Sequence, residues 1–222
     1  MPYLQLQRHV SFGIVEDRPV FLDLRRDRYF ALDGTARSAF GALCREPDLA
    51  LDSRSAAHLL ATGLFMTAEK PTELPPVNIL PATRELPIVS DGSLAPLDLI
   101  EIGWLLQRAH RALQSEPIEK LIEGCRRGTR QRSARASTDR IVALAQRFRR
   151  LRPWVPIRPS CLQDSLALHH WLGRRGSSAD LILGVKLNPF AAHSWLQFDG
   201  VVLNDTPERV AAFTPVLTVP CN

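Results

Sequence analysis

The chain has 222 residues, of which 45% are hydrophobic and 23% charged, enough to bury a core in one or two globular domains. No apolar run approaches the ~20 residues that a membrane-spanning helix needs, and the start Met1-Pro2-Tyr3-Leu4-Gln5 lacks a basic-then-apolar signal peptide. A soluble cytoplasmic protein without a membrane partner is therefore expected, and its net charge of +5 is concentrated in one stretch.

Three strand-like runs open the chain, Val10–Val15, Pro19–Arg25 and Arg28–Leu32. Val20, Leu22 and Leu24 alternate with Phe21, Asp23 and Arg25, the period of a half-buried strand. Glu16-Asp17-Arg18 and Arg26-Asp27 are short enough to be hairpin turns. Asp33 is a good N-cap for a helix reaching about Arg45, with Ala36, Phe40 and Leu43 on its apolar face. A second helix, Ser53–Thr62, is stopped by Gly63. This order predicts a small winged-helix-like module over residues 1–66. Six prolines then interrupt residues 67–96 and favour an extended, semi-rigid linker.

Residues 97–222 form the predicted second domain, and the fold class is α+β. It opens with a helix over Leu97–Gln114, where Leu99, Ile102, Leu106, Ala109 and Leu113 recur at helical spacing. Between Cys125 and Arg152 stand ten arginines and one acid, Asp139, including a helical stretch Ser137–Leu151 that Pro153 ends. Such a stripe can attract an acidic peptide or nucleic acid, or form a solvated face. No recognisable nucleic-acid motif accompanies it, so no nucleic-acid partner is expected.

The four cysteines, Cys44, Cys125, Cys161 and Cys221, include no CxxC pair, which argues against a zinc centre or a dithiol motif. One of them has chemical promise. Pro159 blocks a helix before Cys161, while Leu162, Leu166, Leu168 and Leu172 describe a buried helix after it. Cys161 thus belongs at a helix N-terminus, where unpaired N–H groups and the helix dipole favour a thiolate and can receive an oxyanion. A cysteine nucleophile also needs a base, and the base an acceptor to hold its second nitrogen.

His193-Ser194-Trp195-Leu196-Gln197-Phe198 reads as a strand that turns at Asp199-Gly200 into Val201–Asp205. A two-residue loop pairs positions summing to 399 and sends Asp205 to the face opposite His193. A three-residue loop, Phe198-Asp199-Gly200, pairs positions summing to 398 and sets His193 directly across from Asp205. It also gathers Trp195, Leu203, Gln197 and Val201 on one face, at the modest cost of a left-handed Gly200 in a bulge. The second register is the one predicted.

The runs Ser160–Leu168, Leu183-Gly184-Val185, Ala192–Gln197 and Leu203-Asn204-Asp205 resemble the lasso-peptide B proteins, whose peptidase half is papain-like in its rearranged transglutaminase form. The N-terminal module is similar to the precursor-recognition domains of peptide-modifying systems. The resemblance implies a leader peptidase with catalytic Cys161, His193 and Asp205. It implies a precursor leader added as a strand beside Arg28, Tyr29, Phe30, Ala31 and Leu32 and packed on the second helix, with His58 in contact. It further implies no intrinsic cofactor, and a partner cyclase, asparagine-synthetase-like and ATP-using, that consumes the freed amine. Family members read His-Ala-Trp-Val-Glu where this chain has His193-Ser194-Trp195-Leu196-Gln197. Two other readings fit the residues: a non-catalytic module that presents a precursor to its partner, and a basic winged-helix binder of nucleic acid.

Overall fold

Alternation and turn chemistry account for the first sheet. The computed structural model, which describes residues 3–46, 48, 51–87, 95–130 and 137–221, places strands at Val10–Val15 (β2), Arg18–Asp23 (β3) and Arg28–Ala31 (β4), in the order β2-β3-β4. Glu16 and Asp17 both take positive φ, so the first hairpin closes through a two-residue turn, and Arg18, expected in the turn, already pairs with Val15 as the first residue of β3. Helices Gly34–Arg45 (α1) and Ser53–Ala61 (α2) follow. Asp33 occupies the α1 N-cap without a side-chain cap bond, whereas Asp52 caps α2 by accepting from the backbone N–H groups of Arg54 and Ser55. Gly63 takes φ +72 just beyond α2, a conformation that L side chains rarely adopt. Phe12, Phe21 and Phe40 meet at the centre of this unit with ring centroids 5.0 to 5.4 Å apart.

One sheet here is absent from the sequence reading. Tyr3–Leu6 (β1) pairs antiparallel with Phe65–Ala68 (β5), closing the N-terminal unit across some sixty residues. The chain divides into two compact units, Met1–Asn78 with Pro215–Leu217, and Ile79–Thr214 with Thr218–Asn222. The proline-rich segment read as a linker over 67–96 is thus shared out. Leu74 joins the N-terminal core, and the Val77 N–H donates to the Phe12 carbonyl at 2.9 Å. Arg84–Glu85 (β6) instead adds a parallel strand to the second unit, and Leu86 is buried.

The second unit carries helices Pro96–Ser115 (α3), Ile118–Arg130 (α4), Thr138–Leu151 (α5) and Cys161–Arg174 (α6). Three of them lie where hydrophobic spacing puts them; α4 is an addition, burying Ile122, Cys125 and Thr129 one turn apart. Strands Asp180–Lys186 (β7), Ala191–Phe198 (β8) and Val201–Val202 (β9) and the short helix Pro207–Val210 (α7) complete it, together with the two ends of Thr214–Val219 (β10), whose Pro215–Leu217 cluster with the first unit. The sheet order is β10-β7-β8-β9-β6. The fold class is α+β, as expected.

The hairpin register differs from the prediction. Gln197 pairs with Val202 and Phe198 with Val201, so positions sum to 399 and the loop has two residues. Asp199 and Gly200 take φ 48 and 74, the two left-handed positions of a tight hairpin turn, and no bulge forms. Asn-free Asp-Gly chemistry suits that turn without any third residue, which is why the shorter loop prevails.

Gly184, paired with His193, has a packing role. A Cβ there would lie 2.9 Å from Trp195 Cζ3 and 3.1 Å from Phe213 Cβ, and Trp195 is 1% exposed with nowhere to go. Gly184→Ala is expected to destabilise the unit by about 1–3 kcal/mol through overpacking. A denaturant melt with an unchanged midpoint would contradict this.

Candidate active site

Three elements deliver three reactive groups to one place. Ser160 is the N-cap of α6, in extended conformation with Pro159 before it, so Cys161 is the first helical residue. Its thiol is partly exposed at the positive end of the helix, as the proline and leucine pattern requires. His193 sits on β8, 7% exposed. Its ring stacks against Trp195 with centroids 6.0 Å apart and packs on Phe213 at 5.0 Å, two aromatic faces that fix its plane.

Asp205 reaches the imidazole by leaving the strand. β9 ends at Val202, and the Leu203 N–H makes one further bond, to the Leu196 carbonyl at 2.9 Å. The Leu196 N–H then donates to the Asn204 side chain, Oδ1, at 2.8 Å, so a side-chain amide stands in for the next backbone acceptor and the chain turns away. Asn204 Nδ2 donates to Ser165 Oγ at 2.9 Å, and Ser165 Oγ donates to the Ser194 carbonyl at 3.2 Å. This buried lattice ties α6, β8 and the residue before Asp205 together. Asp205 therefore meets His193 despite the register, with His193 Nε2 2.6 Å from Asp205 Oδ2. Its other oxygen accepts from the Thr206 N–H at 2.9 Å, and Thr206 in turn caps α7.

With Nε2 held by Asp205, Nδ1 is the ring nitrogen left for Cys161. The hydrogen bond from His193 brings the Cys161 thiol down to about 7; burial opposes this, and the Ser194 side chain and backbone assist it. Burial works against a charged His193, but Asp205 and then Cys161 outweigh it and raise the ring to about 9. Burial likewise opposes ionisation of Asp205, yet His193 and the Thr206 N–H hold it below the ordinary carboxylate range. A thiolate–imidazolium pair accordingly spans the interval between those two values. The rate of Cys161 alkylation by iodoacetamide should rise with a midpoint near pH 7, rather than near the roughly 8.5 of an unperturbed thiol. A midpoint at the ordinary value would remove the pairing.

The pocket at these residues encloses about 260 Å³ and is lined by Pro159, Ser160, Asp164, Ser194, Asn204 and Arg209 besides the three reactive groups. Asp164, one turn after Cys161, accepts from Arg152 Nε at 3.0 Å. Burial pushes its carboxyl up against that ion pair. In the sequence Ser194 and Asn204 stand only as parts of motifs; their hydroxyl and amide roles depend on contacts across the fold. Phe213 carried no sequence signal. No group of metal-binding side chains occurs among the described residues, nor any helix long and apolar enough to cross a membrane.

The residues expected to meet a leader lie on the other unit. On β4, Arg28 and Ala31 are exposed while Tyr29 and Phe30 are partly buried. Tyr29 faces Leu22 and Phe30 faces Phe21 across the ladder, so the two rings point to opposite sides of the sheet, and Phe30 packs on the core. Leu32 departs from the expectation: at 6% exposure it belongs to that core and offers no surface to a peptide. His58 is exposed on α2.

Over 47 residues the chain is 45% identical to the microcin J25-processing protein McjB of Escherichia coli, a match covering 21% of this chain and 23% of that protein. The chain thus aligns with less than a quarter of that relative's length, and the resemblance to the lasso-peptide B proteins holds. No solved structure matches significantly. The sequence model of the transglutaminase-like superfamily matches residues 102–218, more than half of the 222, and the chain belongs to that superfamily.

Proposed function

We propose that the protein is a leader peptidase of lasso-peptide biosynthesis, a cysteine hydrolase that severs the bond between leader and core of a ribosomal precursor. The observation that carries this reading is the 2.6 Å bond that holds His193 to Asp205 while the same ring lowers the thiol at the start of α6. The Cys161 thiolate attacks the last leader carbonyl, and the oxyanion forms beside the first N–H groups of α6. Collapse breaks the peptide bond, the His193 imidazolium gives its proton to the departing amine, and a thioester to the leader remains. Water, deprotonated by His193, then splits the thioester to release the leader acid and restore the thiol. The free amine is the group that the amide-forming partner, an ATP-using cyclase, takes up.

The N-terminal unit, read as a winged-helix-like recognition module, binds the leader. Its three-stranded sheet has one edge along which its own chain runs, through the Val77–Phe12 bond, and β4 at the other edge. An extended leader adds there by β-augmentation, with Tyr29 and the exposed face of α2 around His58 beside it. N-methylating leader positions one at a time should weaken binding about 3- to 10-fold at every second residue, the mark of lost ladder bonds. A flat profile would exclude strand addition. The peptidase itself is tested by incubating full-length protein with its precursor, alone and with the cyclase, and weighing the products. An intact precursor under both conditions would end the proposal.

A further inference from the structure

A second cleft, remote in chemistry from the thiol, opens between α3, α4 and α6. Leu105, Ala109, Ala112, Leu121 and Leu166 give it an apolar floor. Its volume is about 180 Å³, and an apolar cavity of roughly 150 Å³ holds a benzene ring. The cleft is therefore the size of one aromatic or branched aliphatic side chain, too small for a whole drug-sized ligand. Arg108, Lys120 and Arg127 stand at its rim with a single acid, Glu116, whose carboxylate is 2.9 Å from Lys120 Nζ. Among the described residues neither guanidinium group has a carboxylate partner, and the two give the cleft a positive rim.

The cleft continues into an exposed apolar stripe on the same helix. Leu97, Ile100 and Trp104 are 80, 68 and 50% exposed, and their spacing sets them on one face of α3 that runs on to Arg108. The Trp104 ring is clasped by Arg108 at 5.4 Å and by Arg174 at 5.8 Å. Tryptophan and arginine grouped around an apolar pocket have the composition of an interface hot spot. None of these residues lines the Cys161 pocket.

We infer that the α3–α4–α6 cleft and the stripe beside it are a docking surface for a partner protein, engaged by an acidic segment that inserts one apolar anchor residue. Positive rim and apolar floor select the two features together: carboxylates meet Arg108 and Arg127 while the anchor fills the space over Leu105 and Leu121. A phosphate backbone would satisfy the rim and leave the floor and the stripe in water, which disfavours nucleic acid. The surface does not depend on what Cys161 does.

The test uses the full-length protein and a fluorescein-labelled, acetylated peptide with one phenylalanine flanked by glutamates. Anisotropy should report saturable binding, with a dissociation constant on the order of 10–100 μM for so small a contact. Alanine for the phenylalanine, or lysines for the glutamates, should each weaken it at least ~10-fold. Arg127→Glu, an exposed change, should weaken it about 5- to 10-fold, and Ala112→Trp should block the cleft, both with the Cys161 alkylation rate unchanged. Binding indifferent to the phenylalanine or to both variants, or no binding at all, would overturn the inference. So would steeply salt-dependent binding of a DNA duplex of about 20 base pairs that displaces the peptide.

Discussion

Cys161→Ala is expected to leave a folded protein with no measurable cleavage of the leader–core bond. Cys161 is partly exposed at the first position of α6, and its side chain contributes little to the core, which lies among Leu166, Leu168, Trp171 and Leu172 further along the helix. Alanine is the best helix former, so the helix itself should not suffer. Cleavage, in contrast, loses its nucleophile: of the other three cysteines, Cys125 is buried, the Cys44 thiol is pushed up by burial against the pull of Arg45, and neither these nor the partly exposed Cys221 lines the pocket that holds His193 and Asp205. Nucleophile loss in triad enzymes costs on the order of 10⁶ in turnover, leaving only what the oxyanion site and binding provide. Leader affinity should be unchanged if β4 and α2 carry it, as proposed. Mass spectrometry of the products together with a leader-binding titration separates the two effects; persistent cleavage by the alanine variant would dismiss Cys161 as the nucleophile.

How the site could be found from sequence, and where that reading failed, has a physical explanation. The position of Cys161 was legible because a proline and a leucine pattern are local signals, and they bound α6 to the residue. His193 on a strand ending in Asp-Gly was legible for the same reason. The register was not. Either loop length keeps an alternating apolar face, so alternation does not choose between them. The choice lies in the left-handed Asp199-Gly200 pair, and the Asn204 side chain that takes the Leu196 N–H beyond β9 is a contact no alternation pattern records. The wrong register and the right neighbour coexist because Asp205 lies past the end of pairing, where the chain is free of the sheet's two-residue period. The β1–β5 sheet escaped because its strands are four residues each and about sixty residues apart, with no turn to announce them. The arginines after Cys125 overlay the end of α4 with charge, while the apolar residues that mark it, Ile118, Leu121, Ile122 and Cys125, recur at helical spacing just ahead of that stretch. Arg132 and Arg135 of that stretch lie outside the described residues. Prolines made 67–96 look like a tether, yet an extended backbone is also what a sheet edge accepts, and Arg84–Glu85 takes that place.

Asp205→Ala should lower turnover about 10²- to 10³-fold, and Asp205→Asn should recover much of the loss. In a thiolate–imidazolium pair the ring is already charged before the reaction begins, so Asp205 both orients it and stabilises its charge. Alanine leaves the Nε2–H of a buried imidazolium without an acceptor, a penalty of about 1–3 kcal/mol or more for a charged donor. Asparagine can still present Oδ1 to Nε2 and keep Nδ1 toward Cys161; only the charge is lost. The pH profile distinguishes orientation from a merely structural role. Asp205 favours the protonated ring, so its removal must lower the pKa of His193 from about 9 toward the ordinary range near 6.5. The lowering of Cys161 to about 7 comes first from the His193 hydrogen bond, so a neutral ring lets the thiol rise. The two limbs therefore move toward each other: the alkaline limb falls from about 9, the acid limb climbs from about 7, and the interval in which the ion pair exists closes. A variant with reduced turnover but both limbs in place would show that Asp205 supports the hairpin without tuning the imidazole.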